Sequence, residues 1–490
     1  MGNGATDAST PPDASARLPT PGADRLFSSY SGFAYTLMTI AAAIWIVLIG
    51  GVLPSVGDTR LGIIGYACGA VIGVVLVVLS VAIPAYRHGI DAVDVAKAAL
   101  GIRGSLLVLI GLMVSALGWA GVALAMMARG GASLVAGASA PGAVADERLV
   151  LALALGLVLL VVWLLRGGLD AIRRLNQIAG PGFLLLAMLS MGLLAHRYGL
   201  QQIWLTDVPA AQALTADRLK SLAYAIDFGV TISLTWWPYM GELYRHVEFR
   251  RHTVGPIMVG GTVAGNVFSA MVAALAAVNF GSPDPAVWLV ALGGPIAGSL
   301  LVALVLLLSL PAVCLLVFLV ATSLRQLGAL ARVGSQRLAV LAVAPLVLVA
   351  FNTEWTLVHV VTVGTLGSLV FFPICGIVAA DYWILRRGAI DLPQLFVAGR
   401  GSRYWYRGGV NWIAMGVIVL MLATYLQIYD PVTLQAGELF RYLGAAFPVT
   451  VASGVLYVLL MTLAARVSPA WRRARAEAPS AGSGDIEVGL

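Results

Sequence analysis

Residues 296–324 read IAGSLLVALVLLLSLPAVCLLVFLVATSL, a run of 29 positions without a single Asp, Glu, Lys or Arg. A helix needs about 20 apolar residues to cross the hydrocarbon layer of a bilayer, and this run supplies more. The whole chain has a similar composition, because 60% of its 490 residues are hydrophobic and 11% are charged. A water-soluble fold cannot bury so much apolar surface, so the sequence predicts an all-α integral membrane protein.

Eleven further apolar stretches flank this run, which makes twelve predicted transmembrane helices (spans 1–12). The other spans are residues 31–54, 61–85, 104–128, 149–165, 177–195, 221–244, 254–279, 338–351, 356–385, 411–428 and 442–465. We expect the short apolar segment 284–293 to be an interfacial or re-entrant helix. Residues 1–27 and 467–490 lack an apolar run and are expected to be disordered cytoplasmic tails around a twelve-helix domain at 28–466.

The basic residues are divided unevenly between the two ends of these spans. Of the 30 Lys and Arg residues, 23 fall on the side that holds both termini and 7 on the other side. Because cytoplasmic loops carry an excess of Lys and Arg, we expect a multi-pass protein with both termini in the cytoplasm. The preference for Arg over Lys favours a GC-rich bacterial source, and so the inner membrane. The net charge of +7 comes from these loops and does not indicate nucleic-acid binding.

The sequence lacks the patterns of an enzyme, a metal site or a cofactor site. The three cysteines, Cys68, Cys314 and Cys375, are far apart in apolar segments and form no CxxC pair. No GxxxxGK[ST] motif for nucleotide binding is present, and no spaced cluster of His, Asp and Glu emerges. We therefore assign no metal ligand, catalytic residue or cofactor.

A few polar side chains lie inside the predicted spans. Asp227 is the one acid deep within a span, and a carboxylate at that depth is costly unless it serves a polar cavity. His359 is the one histidine in a predicted span. Thr231 and Ser233 give span 6 a run of hydroxyls that can bind a polar ligand where a helix is interrupted. Each of these residues also has a structural interpretation. Asp227 can reach the lipid headgroups, His359 can be a structural hydrogen-bond donor, and the hydroxyls of Thr231 and Ser233 can bond to their own helix.

Spans 1 and 6 share a short pattern that suggests an internal repeat. Span 1 contains TIAAAIW at residues 39–45, and span 6 contains TISLTWW at residues 231–237. Both place small residues and a Trp at mid-span. The match would pair spans 1–5 with spans 6–10 as two inverted halves whose first helices are broken, and it would leave spans 11 and 12 as additions.

Four sequence blocks resemble one transporter family. ADYWILRRGAIDLPQLF (380–396) and YWYRGGVNWIAMG (404–416) resemble the end of span 10 and the start of span 11 in the nucleobase–cation symporters, which include the purine, cytosine, allantoin and hydantoin permeases. GWAGVALAMMA (118–128) is similar to the span 3 block of cytosine permeases. TWWPYMGELYR (235–245) is similar to the span 6 block, with Glu242 in place of Asp.

The resemblance implies a five-plus-five inverted-repeat core with broken helices 1 and 6, plus two additional helices. It also implies import of a flat nitrogen heterocycle together with a proton or a sodium ion. Trp119 and Trp236 would sandwich the ring, with Trp45 and Ala42 of span 1 nearby, in a cavity shared by spans 1, 3, 6 and 8. Each tryptophan has the alternative interpretation of filling space between helices.

Span 8 departs from the family pattern. Residues 308–324 are almost wholly apolar, with Ala312 and Val313 where the family often carries polar groups. This departure favours proton coupling over sodium coupling, with Asp227 as the proton carrier and His359 as its neighbour. Three further charged residues at the cytoplasmic helix ends are expected to stabilise an inward gate: Glu242, Arg245 and Asp381.

The sequence also allows two other functions. One is a carrier of amino acids or other small solutes on the same fold, and the other is a membrane sensor that does not transport. The expected partners are a small heterocyclic substrate and the lipid bilayer, without nucleic acid, and the sequence allows a monomer.

Overall fold

The computed structural model describes residues 18–135, 146–209, 213–397 and 399–467, and this part of the chain is mostly helical. The α-helices are α1 Tyr30–Ala42, α2 Ile44–Val52, α3 Thr59–Val77, α4 Ile83–His88, α5 Ala92–Leu100, α6 Leu106–Val135, α7 Glu147–Leu164, α8 Gly168–Tyr198, α9 Leu200–Leu205, α10 Arg218–Leu234, α11 Trp237–Tyr244, α12 Phe268–Phe280, α13 Pro285–Ser323, α14 Ser335–Ala350, α15 Thr353–Val358, α16 Val360–Leu369, α17 Phe371–Ala380, α18 Leu392–Leu395, α19 Trp412–Ile428, α20 Phe440–Leu443 and α21 Ala446–Val467. Three π-helical segments join α-helices or extend them: Val78–Ala82, Pro256–Val267 and Asp381–Leu385. Two short antiparallel strands, β1 Tyr429–Asp430 and β2 Gln435–Ala436, complete the elements named here.

Many of these helices are long and apolar enough to cross a bilayer. Within the described ranges, seven helical runs meet that requirement by length and composition, and the bent pair α1–α2 makes an eighth. The helices α14 and α19 are apolar but shorter. The segment 285–293 is a short helix of its own, because α13 is interrupted at Gly294, which has a φ of 74°.

Span 1 is interrupted at Ala43, where the axes of the two helical halves differ by 51°. Ala43 has a ψ of 166°, which no helix accommodates, and the backbone amides beyond it lose their usual partners. The amide of Ile44 instead donates to Ser309 Oγ of α13 at 3.0 Å. Trp45 Nε1 donates across the break to the carbonyl of Ile40 at 3.1 Å. One polar side chain of a neighbouring helix thus satisfies one amide of the interrupted backbone.

Span 6 is interrupted less sharply, between α10 and α11. Thr235 and Trp236 separate the two helices, yet both keep right-handed helical torsions. The amide of Thr235 donates to Thr231 O, and the amide of Met240 donates to Trp236 O. Pro238 stands in the first turn of α11, where its missing N–H costs little.

Small residues let the central helices approach closely. Gly69 of α3 lies directly against the carbonyl of Ile226 on α10, where a methyl group would overlap that oxygen. Gly376 of α17 lies in the same way against Thr450 of α21. Close approach of backbones is the usual basis of helix packing in membranes, since the hydrophobic effect is weak between helices in lipid.

We name the two ends of the helix bundle by their contacts. The proximal end holds the start of α1 and the ion pairs Glu242–Arg245 and Asp381–Arg386. The distal end holds the ion pair between Arg60 of α3 and Asp207 of the loop after α9. At the proximal end Phe27 is fully buried, and its amide donates to His246 O. The folded part therefore begins before residue 28, because residues 18–27 pack on the bundle. Most of the two expected tails, residues 1–17 and 468–490, lies outside the described residues.

Candidate functional site

A narrow central cavity lies between α2, α6, α10 and α16. It is nearly closed in this conformation, and it is lined mainly by apolar side chains. The polar lining groups are the indole of Trp119 and the hydroxyls of Thr231 and Thr365. The fourth wall is α16 of span 10, where the sequence suggested span 8.

Trp119 forms one wall of this cavity and has an unused hydrogen-bond donor. The residue is 6% exposed, and its Nε1 has no hydrogen-bond partner. The indole lies against Gly364 of α16, where an added Cβ would sit 2.8 Å from Trp119 Cζ2. An indole nitrogen can only donate, so a buried and unpartnered one is suited to an acceptor that arrives from outside the protein.

The tryptophan beside Trp119 is Trp45, whose ring centroid is 6.4 Å away at an interplanar angle of 56°. Ala42, which ends α1 beside the break, is fully buried. Trp236 is also buried, but it faces Gly261 and does not line the central cavity. Trp237 stacks on Phe371 and donates to Ser80 Oγ at 2.8 Å.

The two hydroxyl residues proposed in span 6 point to different surroundings. Thr231 lines the central cavity and a second one described below. Ser233 Oγ donates to the carbonyl of Ala70 on α3 at 3.1 Å, so its hydroxyl links two helices. Of the pair, Thr231 is the one available to a ligand.

Asp227 lines a second, distal cavity that is partly open. The residue is 4% exposed. Its Oδ1 accepts hydrogen bonds from the amides of Ala445 and Ala446, each at 2.6 Å, at the start of α21. A carboxylate at a helix N-terminus satisfies free amides and complements the helix dipole. Asp227 therefore anchors α10 to α21 and also faces a cavity.

His359 lies at the junction of α15 and α16 and is partly exposed. Its ring stacks on Trp355 at 4.4 Å, and its Nδ1 lies 2.9 Å from the carbonyl of Trp355. Within the described part of the chain, no hydrogen bond or ring contact joins His359 to Asp227, which the sequence suggested as neighbours.

The three residues expected at an inward gate occur in two buried ion pairs at the proximal end. Arg245 Nη2 donates to Glu242 Oε1 at 2.5 Å, and Arg245 Nη1 donates to Thr20 Oγ1 at 2.7 Å. Arg386 Nε donates to Asp381 Oδ2 at 2.5 Å. The next residue along, His246, is fully buried, and this burial together with the charge of Arg245 holds the pKa of the imidazole well below its usual value.

Side chains from the sequence blocks 380–396 and 404–416 form one hydrogen-bond network around the C-terminal end of α5. Arg386 Nη2 donates to the carbonyl of Ala98 at 2.8 Å, and Asn411 Nδ2 donates to that of Ala99 at 2.7 Å. Tyr457 donates to Asp381 Oδ1 at 3.0 Å. These side chains satisfy the free carbonyls at the C-terminus of α5, which explains why they form one spaced motif.

Sequence reasoning missed Gly364 and Tyr425, which line these cavities, and Ser309, which accepts from the interrupted backbone of span 1. Ser309 and Gly364 look like packing residues in apolar helices, and Tyr425 lies in span 11, outside the expected core. No group of three or more His, Cys, Asp or Glu side chains that could hold a metal occurs among the described residues.

Comparison with known proteins agrees with this architecture. Residues 29–455 match the family model described as permease for cytosine/purines, uracil, thiamine, allantoin. A segment is 30% identical over 132 residues to the allantoin permease of Saccharomyces cerevisiae; it covers 24% of this chain and 19% of that permease.

Two solved structures of Mhp1, a nucleobase-cation-symport-1 family transporter, are similar in fold. The closed form with bromovinylhydantoin bound has a TM-score of 0.70 at 18% identity and covers 93% of this chain and 98% of its own. The inward-facing form has a TM-score of 0.73 at 18% identity and covers 93% and 94%. These proteins are transporters and not enzymes. The family model spans most of the chain, so this multi-pass membrane protein belongs to the family of permeases for cytosine/purines, uracil, thiamine and allantoin.

Proposed function

We propose that this permease imports a nucleobase-like nitrogen heterocycle together with a proton, by alternating access. The observation that carries the proposal is the indole of Trp119 in the wall of the central cavity, whose buried N–H makes no hydrogen bond. A planar ring stacked on this indole gains about 1–3 kcal/mol. A ring carbonyl or ring nitrogen that lies in the plane of the indole can instead accept a hydrogen bond from its N–H, so stacking and this hydrogen bond are alternative ways for a heterocycle to use the same side chain.

The other walls of the cavity suit a flat and uncharged ring. Leu48, Ile49 and Val52 of α2 and Ile232 of α10 provide apolar contacts, while Thr231 and Thr365 provide hydroxyls that both donate and accept. Cytosine, uracil and allantoin in the family description, and the hydantoin bound to Mhp1, all present amide-like edges. These names support a ligand of that class.

Asp227 is the proposed proton carrier. Its Oδ1 accepts from two backbone amides, and its Oδ2 makes no hydrogen bond within the described part of the chain. Oδ2 can therefore take up a proton without breaking the contact between Asp227 and α21. Next to the break in span 1, α13 offers the hydroxyl of Ser309 and the apolar side chains of Ala312 and Val313. Sodium prefers several hard oxygen ligands, which this wall does not supply among the described residues.

The proposed architecture has twelve transmembrane helices, with two inverted five-helix repeats that begin at the interrupted spans 1 and 6. The proximal end, with most of the arginines, would face the cytoplasm of a bacterial cell. The pairs Glu242–Arg245 and Asp381–Arg386 would then close the inward pathway by holding the proximal helix ends together.

A binding panel tests the ligand class directly. The purified protein in lipid nanodiscs is titrated with cytosine, adenine, uracil, hydantoin, allantoin and thiamine, with phenylalanine as the representative of amino-acid carriers. We expect saturable binding of at least one heterocycle and none of phenylalanine. Binding of phenylalanine alone, or of no heterocycle, would contradict the proposal.

A further inference from the structure

The distal cavity has the features of a second ligand site. It is lined by the carboxylate of Asp227 and by five aromatic side chains: Tyr224, Phe228, Tyr425, Tyr429 and Phe440. Tyr429 and Phe440 are stacked at 5.1 Å, and Tyr224 lies 4.7 Å from Phe440. A carboxylate beside packed aromatic rings is a suitable environment for a planar ligand that carries an N–H or a cationic nitrogen.

One polar group in this cavity lacks a partner. Tyr425 is fully buried, it lines the cavity, and its Oη makes no hydrogen bond. A buried hydroxyl without a partner is costly, and the cost is removed when a ligand supplies an acceptor or a donor. The hydroxyl of Tyr224, by contrast, is already used, since it donates to the carbonyl of Leu434 at 2.8 Å.

The carboxylate complements this hydroxyl. Asp227 Oδ1 is fully occupied by the amides of Ala445 and Ala446, and Oδ2 makes no described hydrogen bond. The cavity thus offers two polar groups to a ligand. Asp227 Oδ2 is a negatively charged hydrogen-bond acceptor, and the Tyr425 hydroxyl can donate or accept. An amide edge of a nitrogen heterocycle, with an N–H next to a C=O, matches that pair.

The distal cavity also adjoins the central one. Val52, Phe228, Thr231 and Thr365 line both cavities. A ligand held at Asp227 would therefore be only a short step from Trp119.

We propose that the distal cavity is a second substrate site, in which a planar heterocycle waits before it enters the central cavity. The inference rests on the proposed function, because it assigns the same ligand class to both sites. Asp227 accepts the ring N–H, Tyr425 donates to the adjacent carbonyl, and the aromatic side chains pack against the ring.

The test is the number of ligand molecules bound per chain. Equilibrium dialysis of the nanodisc protein with radiolabelled allantoin, cytosine and uracil should give two molecules per chain at saturation for whichever probe binds. Tyr425→Phe, which removes only the hydroxyl, and Asp227→Asn, whose amide oxygen can still accept from Ala445 and Ala446, should each weaken the distal site at least tenfold. Trp119→Ala should weaken the other site by about 5- to 150-fold, the equivalent of one lost stacking contact.

Matched controls come from the same end of the bundle. Tyr442→Phe and Glu438→Gln change exposed residues outside the cavity and should leave both sites intact. One molecule per chain that binds more weakly in Trp119→Ala and is insensitive to Tyr425→Phe and Asp227→Asn would overturn the second site and leave the proposed function standing. One molecule that depends on Asp227 and Tyr425 but not on Trp119 would support the distal site and overturn the central one. If all three probes fail, the dialysis is repeated with the other heterocycles of the binding panel, and failure of every one of them would overturn both sites.

Discussion

Trp119 is the residue on which the proposed ligand contact depends. Trp119→Ala should weaken heterocycle binding by about 1–3 kcal/mol, the size of one stacking contact, and Trp119→Phe should keep much of the stacking. Trp163→Ala, at an exposed position on α7, is the control and should bind normally. Equilibrium binding measures all three, and unchanged affinity in a folded Trp119→Ala protein would rule out the stacking contact.

Gly364 supports the position of that indole. A Cβ at residue 364 would lie 2.8 Å from Trp119 Cζ2, so Gly364→Ala must displace the ring or α16. Overpacking of this kind costs about 1–3 kcal/mol, which we expect as lost ligand affinity or a lower Tm. Gly416→Ala, where an added Cβ meets nothing within 4 Å, should change neither quantity. Normal binding and Tm in Gly364→Ala would show that the indole is free to move.

The sequence identified some of these residues and not others, for a physical reason. Asp227 could be predicted because a charge at membrane depth is costly wherever it lies. Trp119 was predicted because it lies in the block GWAGVALAMMA, which resembles the span 3 block of cytosine permeases. The sequence placed Trp236 ahead of Trp45 as a ligand contact, whereas in the structure Trp45 lies beside Trp119 and Trp236 does not line the central cavity. Their positions depend on how each helix is rotated about the interruption in its span. Gly364, Ser309 and Tyr425 gain their roles only from the helices that face them, which periodicity within one helix does not specify.

The interruption of span 1 depends on a single hydroxyl from another helix. Ser309→Ala removes the acceptor of the Ile44 amide, and the loss of a buried partner costs about 1–3 kcal/mol of stability. Ser299→Ala is the matched control, since its hydroxyl also donates to a carbonyl four residues earlier on α13 but is exposed. Thermal unfolding of both variants should show a lower Tm only for Ser309→Ala. Equal values would mean that water or a rearranged backbone replaces the serine.

The Asp381–Arg386 pair joins the end of span 10 to α5 and α21. Asp381→Ala leaves the Arg386 guanidinium buried without its counter-charge, which should cost about 3–5 kcal/mol. Asp170→Ala breaks a half-exposed pair with Arg173 and should cost about 1 kcal/mol or less. A comparison of Tm values tests the difference, and similar losses in both variants would contradict the structural role of the buried pair.

The folded bundle as a unit should lose stability in acid through His246. The unfolded chain takes up a proton at this residue near the ordinary pKa of 6.5, whereas burial and Arg245 keep the folded imidazole neutral. The stability contributed by the neutral form is therefore complete above about pH 6.5 and is lost as the pH falls below it. His246→Gln should flatten this part of the Tm profile, and His196→Gln, at an exposed position, should not. Identical profiles for wild type and His246→Gln would contradict this assignment.

The helical, multi-pass membrane architecture was the most predictable property, because a bilayer requires long apolar helices and favours basic residues in cytoplasmic loops. That residues 18–27 belong to the folded part of the chain could not be predicted in this way. Their polar and proline-rich composition resembles a free tail, yet Arg25 donates to the carbonyls of Val247 and Tyr86 and so ties the segment to the proximal end.

Solute accumulation in proteoliposomes tests the account most directly. A radiolabelled heterocycle that binds in the panel is offered outside, with either a pH gradient or a sodium gradient directed inward. We predict accumulation with the pH gradient and none with sodium alone, and loss of accumulation in Asp227→Asn while exchange across the membrane continues. Accumulation that follows sodium without a pH gradient, or that is unchanged in Asp227→Asn, would contradict proton coupling through this carboxylate.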